Sequence, residues 1–428
     1  MTEQAKSDNE SRTVVPFYER PHVQMFNIPL GNGIPFGIER ISNPEVGIGG
    51  AYGTWGNSYD NMTLPALVEE STGSQLTTGE RMDLAPLGFI HRHHLPGFSD
   101  DEHLKIETEV GARLLIEAAN ASGWEPEEVD AVLIGMSSPP SDNYTEQIAR
   151  KAGIREDALK VSVHKACDGS AGALHLALNP ELANNKQSEI NLADKLSGRK
   201  VLVGGIEGLS RSVQKSFDKS ALQLFGNGAG IIGLIPGRSM EFLVGKTQEV
   251  YDEQGVLAVH MYYPHSGQRV AGQSMVEVTQ VDQNHIRVAG LMNEPSNGLP
   301  IAMAGSMGMV KLFVRNGVDV VREVYNSYRE KMGQIGTLGK SIEVAIVHHA
   351  NLKINSLKHK HLSKEGIELR MPWVIKEFGN VSAASNMIAF LRELPKMKPG
   401  DHIMVDGFGA GTYYDVFVVA LGSEAGLI

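Results

Sequence analysis

Apolar positions show little periodicity through residues 1–45, where proline and glycine are scattered; this stretch reads as an arm or wrapping segment. From Val46 the pattern becomes regular. Across 101–121, Leu104, Val110, Leu114, Leu115 and Ala118 fall on one side of a helical period, which predicts an amphipathic helix. Ser99 and Asp100 are its candidate N-caps, and Gly123 its stop. Residues 129–136, VDAVLIGM, are apolar apart from Asp130 and of strand length, so they predict a buried strand. Helix is expected over 145–152, a short strand over 159–163, a helix of small residues over 171–178 and a further strand over 200–204. A glycine-rich turn, FGNGAG at 225–230, lies within the apolar stretch 221–234.

The order then recurs. A long helix is expected over 307–328, a strand over 342–347, a helix over 350–362, and a strand or short helix over 371–376. A turn at 378–380 follows, then a helix over 381–391 that opens with small residues. A strand over 402–405, a glycine-rich turn FGAG at 408–411 and a strand over 414–421 complete the series. The match predicts two pseudo-equivalent α/β halves around one centre. They occupy 46–239 and 301–428, joined by weak strands and turns over 240–300. It sets Cys167 in the first half against Asn380 in the second, and the turn at 225–230 against that at 408–411.

Composition narrows the class. Hydrophobic residues are 42% and charged residues 21%, which excludes a disordered, collagenous or coiled-coil chain. A net charge of −11 disfavours non-specific binding to nucleic acid or an anionic membrane. No apolar run approaches the ~18 residues of a membrane helix, and the polar start lacks the core of a secretory signal. Cys167 is the single cysteine, so no intrachain disulfide forms, as suits a reducing compartment. The expected location is cytoplasmic.

Several residues could carry chemistry. Cys167 lies where a strand meets a helix, and a helix N-terminus supplies free N–H groups and lowers a thiol pKa. His348 and His349 follow a strand end, the usual place of function in α/β sheets. Asn380 is a good N-cap by type, and its place opposite Cys167 makes it a site candidate. The FGAG turn could aim backbone N–H groups at an oxyanion. Neither glycine-rich turn fits a dinucleotide fingerprint. His91, His93 and His94 offer metal-ligand atoms, but a surface loop is the simpler expectation.

KACDGSAGAL around Cys167, VHHANLKIN around His348, FGNVSAAS around Asn380 and the terminal GFGAGTYYD occur in this order. Together with FGNGAG and LGFIHRHH they resemble the thiolase-like condensing enzymes, in particular β-ketoacyl-acyl carrier protein synthase III. The resemblance runs from about Val46 to Leu421. It implies a thiolase-like duplicated fold in layered α-β-α-β-α arrangement. It also implies a catalytic set of Cys167, His348 and Asn380, with His349 in a glutamine position. The oxyanion donors would be the Cys167 and Ala410 backbone N–H groups. Asn351 would support neighbouring backbone, and Lys219 and Lys353 would stand around a CoA or carrier-protein entrance.

The family's CoA-stacking tryptophan falls near Met82 and an arginine near Pro86, which implies weak use of free acetyl-CoA. Asp168 is unusual beside the nucleophile, where the family has a small residue. The implied reaction is acylation of Cys167, then decarboxylative condensation with a malonyl-type thioester, as in fatty acid or secondary metabolite biosynthesis. It requires no metal or redox cofactor. Acyl carrier protein is the implied partner. A homodimer is expected, with the strand over 159–163 pairing between subunits. The rival readings are a Cys–His acyltransferase forming an ester or amide, a synthase with a glutamate base, and a non-catalytic partner subunit.

Overall fold

The computed structural model describes residues 26–31, 33–184, 191–216, 218–249, 259–261, 276–290, 301–303, 306–337, 339–410 and 412–422. Its strands are β1 (Phe26–Pro29), β2 (Pro35–Asn43), β3 (Ile48–Trp55), β4 (Asn57–Asp60), β5 (His91–His94), β6 (Ala131–Gly135), β7 (Leu159–His164), β8 (Val201–Glu207) and β9 (Gly228–Leu234). They continue as β10 (Met240–Glu249), β11 (Val259–Met261), β12 (Val276–Asp282), β13 (His285–Gly290), β14 (Ile301–Met303), β15 (Ile342–Val347), β16 (His402–Gly409) and β17 (Tyr413–Leu421).

Among the described residues, one sheet has the order β1-β2-β3-β9-β8-β6-β7-β13-β12 and a second the order β10-β17-β16-β15. Two helices lie between these sheets: α4 (Gly169–Leu178) and α10 (Ser385–Glu393). In α4, every residue from Gly169 to His175 is buried, as a helix sandwiched between sheets requires. Outside the first sheet lie α2 (Asp100–Ala121) and α3 (Tyr144–Lys151); outside the second lie α8 (Ser306–Gln334) and α9 (Leu352–Lys364). These five layers are the expected α-β-α-β-α arrangement. The remaining helices are α1 (Leu64–Thr72), α5 (Leu192–Leu196), α6 (Leu209–Ser216) and α7 (Lys219–Leu224).

Local signals set many boundaries. Ser99 caps α2 in a reciprocal box with Glu102. Strand β15 covers 342–347 as its pattern predicts. Residues 371–376 differ: they form neither helix nor strand and lead into a turn at 376–378. Pro372 lacks an amide donor, and neighbouring backbone groups are met by side chains. The Val374 N–H donates to His349 Nε2 at 3.2 Å, and Arg392 donates to the Val374 carbonyl.

The ends of the first sheet correct two expectations. The described part of the N-terminal arm is an antiparallel hairpin, β1–β2, that extends the sheet from β3. The described parts of residues 240–300 include strands, as the weak strand pattern there leads one to expect. β10 pairs with β17 in the second sheet, and β13 lies parallel to β7 from His285↔Lys160 to Ala289↔His164. With β6 on its other side, β7 is flanked by its own chain on both edges. It is therefore not the open edge strand expected to pair between subunits.

Candidate active site

The nucleophile turn starts from strain. Ala166 has φ +50°, a left-handed conformation that costs an alanine energy. It swings the chain out of β7 into a 3-10 turn, Ala166–Asp168, and then into α4, which leaves Cys167 at the head of a buried helix. The second half repeats this shape. Ser382 has φ +45°, the turn is Ser382–Ala384, and α10 follows. The backbone counterpart of Cys167 is thus Ala383. Asn380 stands three residues earlier, so the sequence pairing of Cys167 with Asn380 is corrected by three positions.

Cys167, His348, Asn351, Asn380 and Ala410 nevertheless converge. They line one pocket with Leu224, Phe225, Phe313 and Phe408, a space of about 30 Å³. The Ser382 hydroxyl donates to the Cys167 sulfur at 3.2 Å, and the Ala410 backbone N–H lies beside the sulfur. Gly409 makes this approach possible. A Cβ there would lie 2.7 Å from the Cys167 nitrogen and 2.8 Å from that of Asp168. Gly411, the last residue of the FGAG motif, lies outside the described residues.

His348 and Asn380 are held as donors. Ser385 Oγ accepts the His349 N–H at 3.3 Å and is bonded to His348 Nδ1, leaving Nε2 for the pocket. With the hydroxyl as donor in that bond, the imidazole proton stands on Nε2. The Asn380 Oδ1 accepts the Ser382 N–H at 2.9 Å, and Nδ2 donates to the Ala350 carbonyl at 3.3 Å. Its amide orientation is therefore fixed, with a second Nδ2 proton to give. Asn351 lines the pocket and caps α9, accepting the Ile354 N–H at 3.0 Å. His349 is occupied elsewhere. Nδ1 donates to the Val347 carbonyl, Nε2 accepts from Val374, and the ring lies 4.4 Å from that of Trp373.

Burial dominates the titration of this site. It pushes the Cys167 thiol up to about 12, against the pull of the Ser382 hydroxyl and the Ala410 amide; Glu207 and Asp168 push it further up. The expected lowering of the thiol by the helix end is thus outweighed by desolvation. Burial also pushes His348 down to about 3, helped by His349 and Lys358. The resting pair is a thiol and a neutral imidazole.

Asp168 turns away from the sulfur into a buried ionic cluster. Lys165 pairs with Asp415 and, at 3.2 Å, with Asp168, while His175 Nδ1 bonds Asp415 at 2.7 Å. Burial and then Asp415 push Asp168 well up, against the pull of Lys165. Burial works against the charge of Asp415 as well, yet Lys165 and His175 hold it ionised. This cluster ties the nucleophile turn to β17.

Other predicted residues lie apart from the pocket wall. Lys219 is committed to Glu80 at 3.0 Å and to the Gln75 carbonyl at 2.9 Å. Lys353 is exposed on the first turn of α9. Met82 is half-buried among Leu64, Leu67 and Leu84, and Pro86 is exposed. His91, His93 and His94 stand on strand β5 and not on a surface loop. His94 is buried, with Nδ1 on Ser210 at 3.0 Å and Nε2 on the Phe225 carbonyl at 2.8 Å.

Two residues of the site escaped sequence reasoning, Ser382 and Glu207. Glu207 ends β8 and is 1% exposed. Its carboxylate accepts the Ser137 N–H at 2.7 Å, the Ser137 hydroxyl at 2.8 Å and the Ala383 N–H at 3.2 Å. A glutamate after an all-apolar strand was the available signal.

The comparisons with known proteins agree with this geometry. Residues 333–421 match the family model described as 3-oxoacyl-[acyl-carrier-protein (ACP)] synthase III C terminal. β-Ketoacyl-[acyl-carrier-protein] synthase III of Aquifex aeolicus is 27% identical over 69% of this chain and 78% of its own. A synthase III of Halalkalibacterium halodurans is 25% identical over 78% of this chain and 88% of its own. The solved Aquifex aeolicus enzyme superposes with a TM-score of 0.57 at 18% identity, covering 90% of this chain and 98% of its own. OleA of Xanthomonas campestris gives 0.55 at 11% identity, covering 93% and 100%. The fold of this chain is that of these solved synthase III and OleA structures. Within that fold it resembles β-ketoacyl-acyl carrier protein synthase III. No helix among the described residues is long and apolar enough to cross a membrane.

Proposed function

We propose that the protein accepts an acyl group on Cys167 and condenses it, with loss of CO2, onto a malonyl-type thioester. The observation that carries this reading is the convergence of Cys167, His348, Asn380 and Ala410 on one pocket, with two neutral donors beside the sulfur. In the first step the sulfur attacks an acyl thioester, and the Cys167 and Ala410 N–H groups face the tetrahedral oxyanion. In the second, CO2 leaves the malonyl group and negative charge builds on its thioester oxygen. His348 Nε2–H and the free Asn380 Nδ2–H donate to that oxygen. The resulting carbanion attacks acyl-Cys167, and the β-ketoacyl thioester leaves. Both steps run on a sulfur nucleophile and hydrogen-bond donors, without a metal or redox cofactor.

Acyl carrier protein, or an acyl-CoA longer than acetyl-CoA, is the proposed donor, since Met82 and Pro86 supply neither an aromatic stack nor a guanidinium. Loss of such a stack is worth about 0.5–1.5 kcal/mol. Intact-mass spectrometry after mixing with a panel of acyl thioesters tests this function. The expected result is a one-acyl mass shift that Cys167→Ala abolishes. A shift that persists in Cys167→Ala would overturn the nucleophile assignment.

A further inference from the structure

Cys167 presents a chemical problem that His348 does not solve. The thiol must lose its proton on attack, but the His348 tautomer that serves condensation carries its proton on the nitrogen left for the pocket. The Ser382 hydroxyl offers another path. It donates to the Cys167 sulfur at 3.2 Å and lies beside the Glu207 carboxylate, which the next residue's N–H holds at 3.2 Å. The left-handed backbone of Ser382 places it there at a conformational cost. Ser137 and the Ala383 N–H clamp Glu207 from the far side, so the carboxylate cannot turn away.

We propose that Glu207 is the proton store for Cys167, acting through the Ser382 hydroxyl. The Ser382 hydroxyl turns its proton from the sulfur to Glu207; as sulfur bonds to the thioester carbonyl carbon, the S–H bond breaks and its proton passes to Ser382 Oγ. The proton previously on Oγ passes to the Glu207 carboxylate. The tetrahedral oxyanion then collapses and expels the carrier or CoA thiolate. Glu207 touches no substrate atom, so it is a positioning residue for the proton. Burial pushes its carboxyl up to about 7, against the donors from Ser137, Ala383 and Ser382, so it can gain and lose a proton near neutrality. The titratable groups facing it are Cys167 on the nucleophile turn and Tyr144 on α3. Burial and then Glu107 hold Tyr144 neutral.

The test is the rate of Cys167 alkylation by iodoacetamide as a function of pH, for wild type, Glu207→Gln and Ser382→Ala. The glutamine is isosteric and can donate to the Ser137 hydroxyl, so the clamp survives. Exchange of one proton between thiol and carboxylate makes the wild-type rate climb up to about pH 7 and then level before rising again. Glu207→Gln and Ser382→Ala should each replace that shelf with one unbroken rise. At neutral pH, acyl transfer from a thioester should slow roughly 10²-fold in Glu207→Gln, the scale of a lost general base. The transfer arm rests on the function proposed above; the alkylation arm does not. A shelf lost in both variants supports the relay even if no thioester acylates the wild type. A wild-type profile without the shelf, or a Glu207→Gln rate lowered equally at every pH with the shelf kept, overturns it.

Discussion

His348 and His349 are neighbours in sequence with opposite surroundings. Both are buried and neutral, but Ser385 engages only Nδ1 of His348 and leaves Nε2 to the pocket, while His349 spends both nitrogens on backbone. His349→Ala should therefore cost stability, on the order of 3 kcal/mol, from a buried ring and two lost hydrogen bonds. The folded variant should keep its decarboxylation rate, while His348→Ala loses it. Denaturation curves and CO2 release, measured on both variants, separate these effects. Because burial holds His348 near 3, CO2 release by pre-acylated enzyme, which bypasses the Glu207 relay, should show no loss on acidification through the ordinary histidine value of 6.5. A histidine inflection there in the pH–rate profile would mean the ring is solvated. Motif order was enough to select Cys167, His348, Asn380 and Ala410. It could not select Ser382 and Glu207, whose partners lie 215 and 176 residues away. Nor could it show that desolvation defeats the helix end at the thiol.

The elements meet through glycines and one buried charge pair. Gly409 lets β16 lie against the nucleophile turn, and the contacts of its missing Cβ are backbone atoms that cannot step aside. Gly409→Ala should cost about 1–3 kcal/mol. It should also move the Ala410 N–H off the sulfur and slow acylation; a variant that acylates at the wild-type rate would contradict this packing. Behind the same strand, Lys358 pairs with Asp406 and lies 4.6 Å over the Phe408 ring, with both charges fully buried. Lys358→Ala leaves an unpaired carboxylate and should destabilise by about 3–5 kcal/mol in chemical denaturation. Strong periodicity made β15 and α2 legible. The stretch at 371–376 was not, because side chains of His349 and Arg392 replace its ladder. The three-residue offset between halves was also hidden, since only backbone angles at Ala166 and Ser382 reveal it.

At the scale of the molecule, duplication was readable from the repeated order of strands, helices and glycine turns. The sheet edges were not, because β1–β2 and β12–β13 come from stretches with weak patterns. Pairing of β13 with β7 predicts that β7 amides exchange slowly at every protein concentration. Protection of Val161–His164 that grows with concentration would instead place a subunit contact there. The two halves contribute complementary chemistry: the sulfur from one, and both oxygen-directed donors from the other. This division makes loading and condensation separable. The most direct test is CO2 release from a malonyl thioester by fully acylated wild type and fully acylated Asn380→Ala. Losing one such donor typically costs ~10²–10³ in rate. The variant should accordingly hold its acyl group on Cys167 and release CO2 slower by about that factor, whereas CO2 release from Asn380→Ala at the wild-type rate would contradict the condensing mechanism.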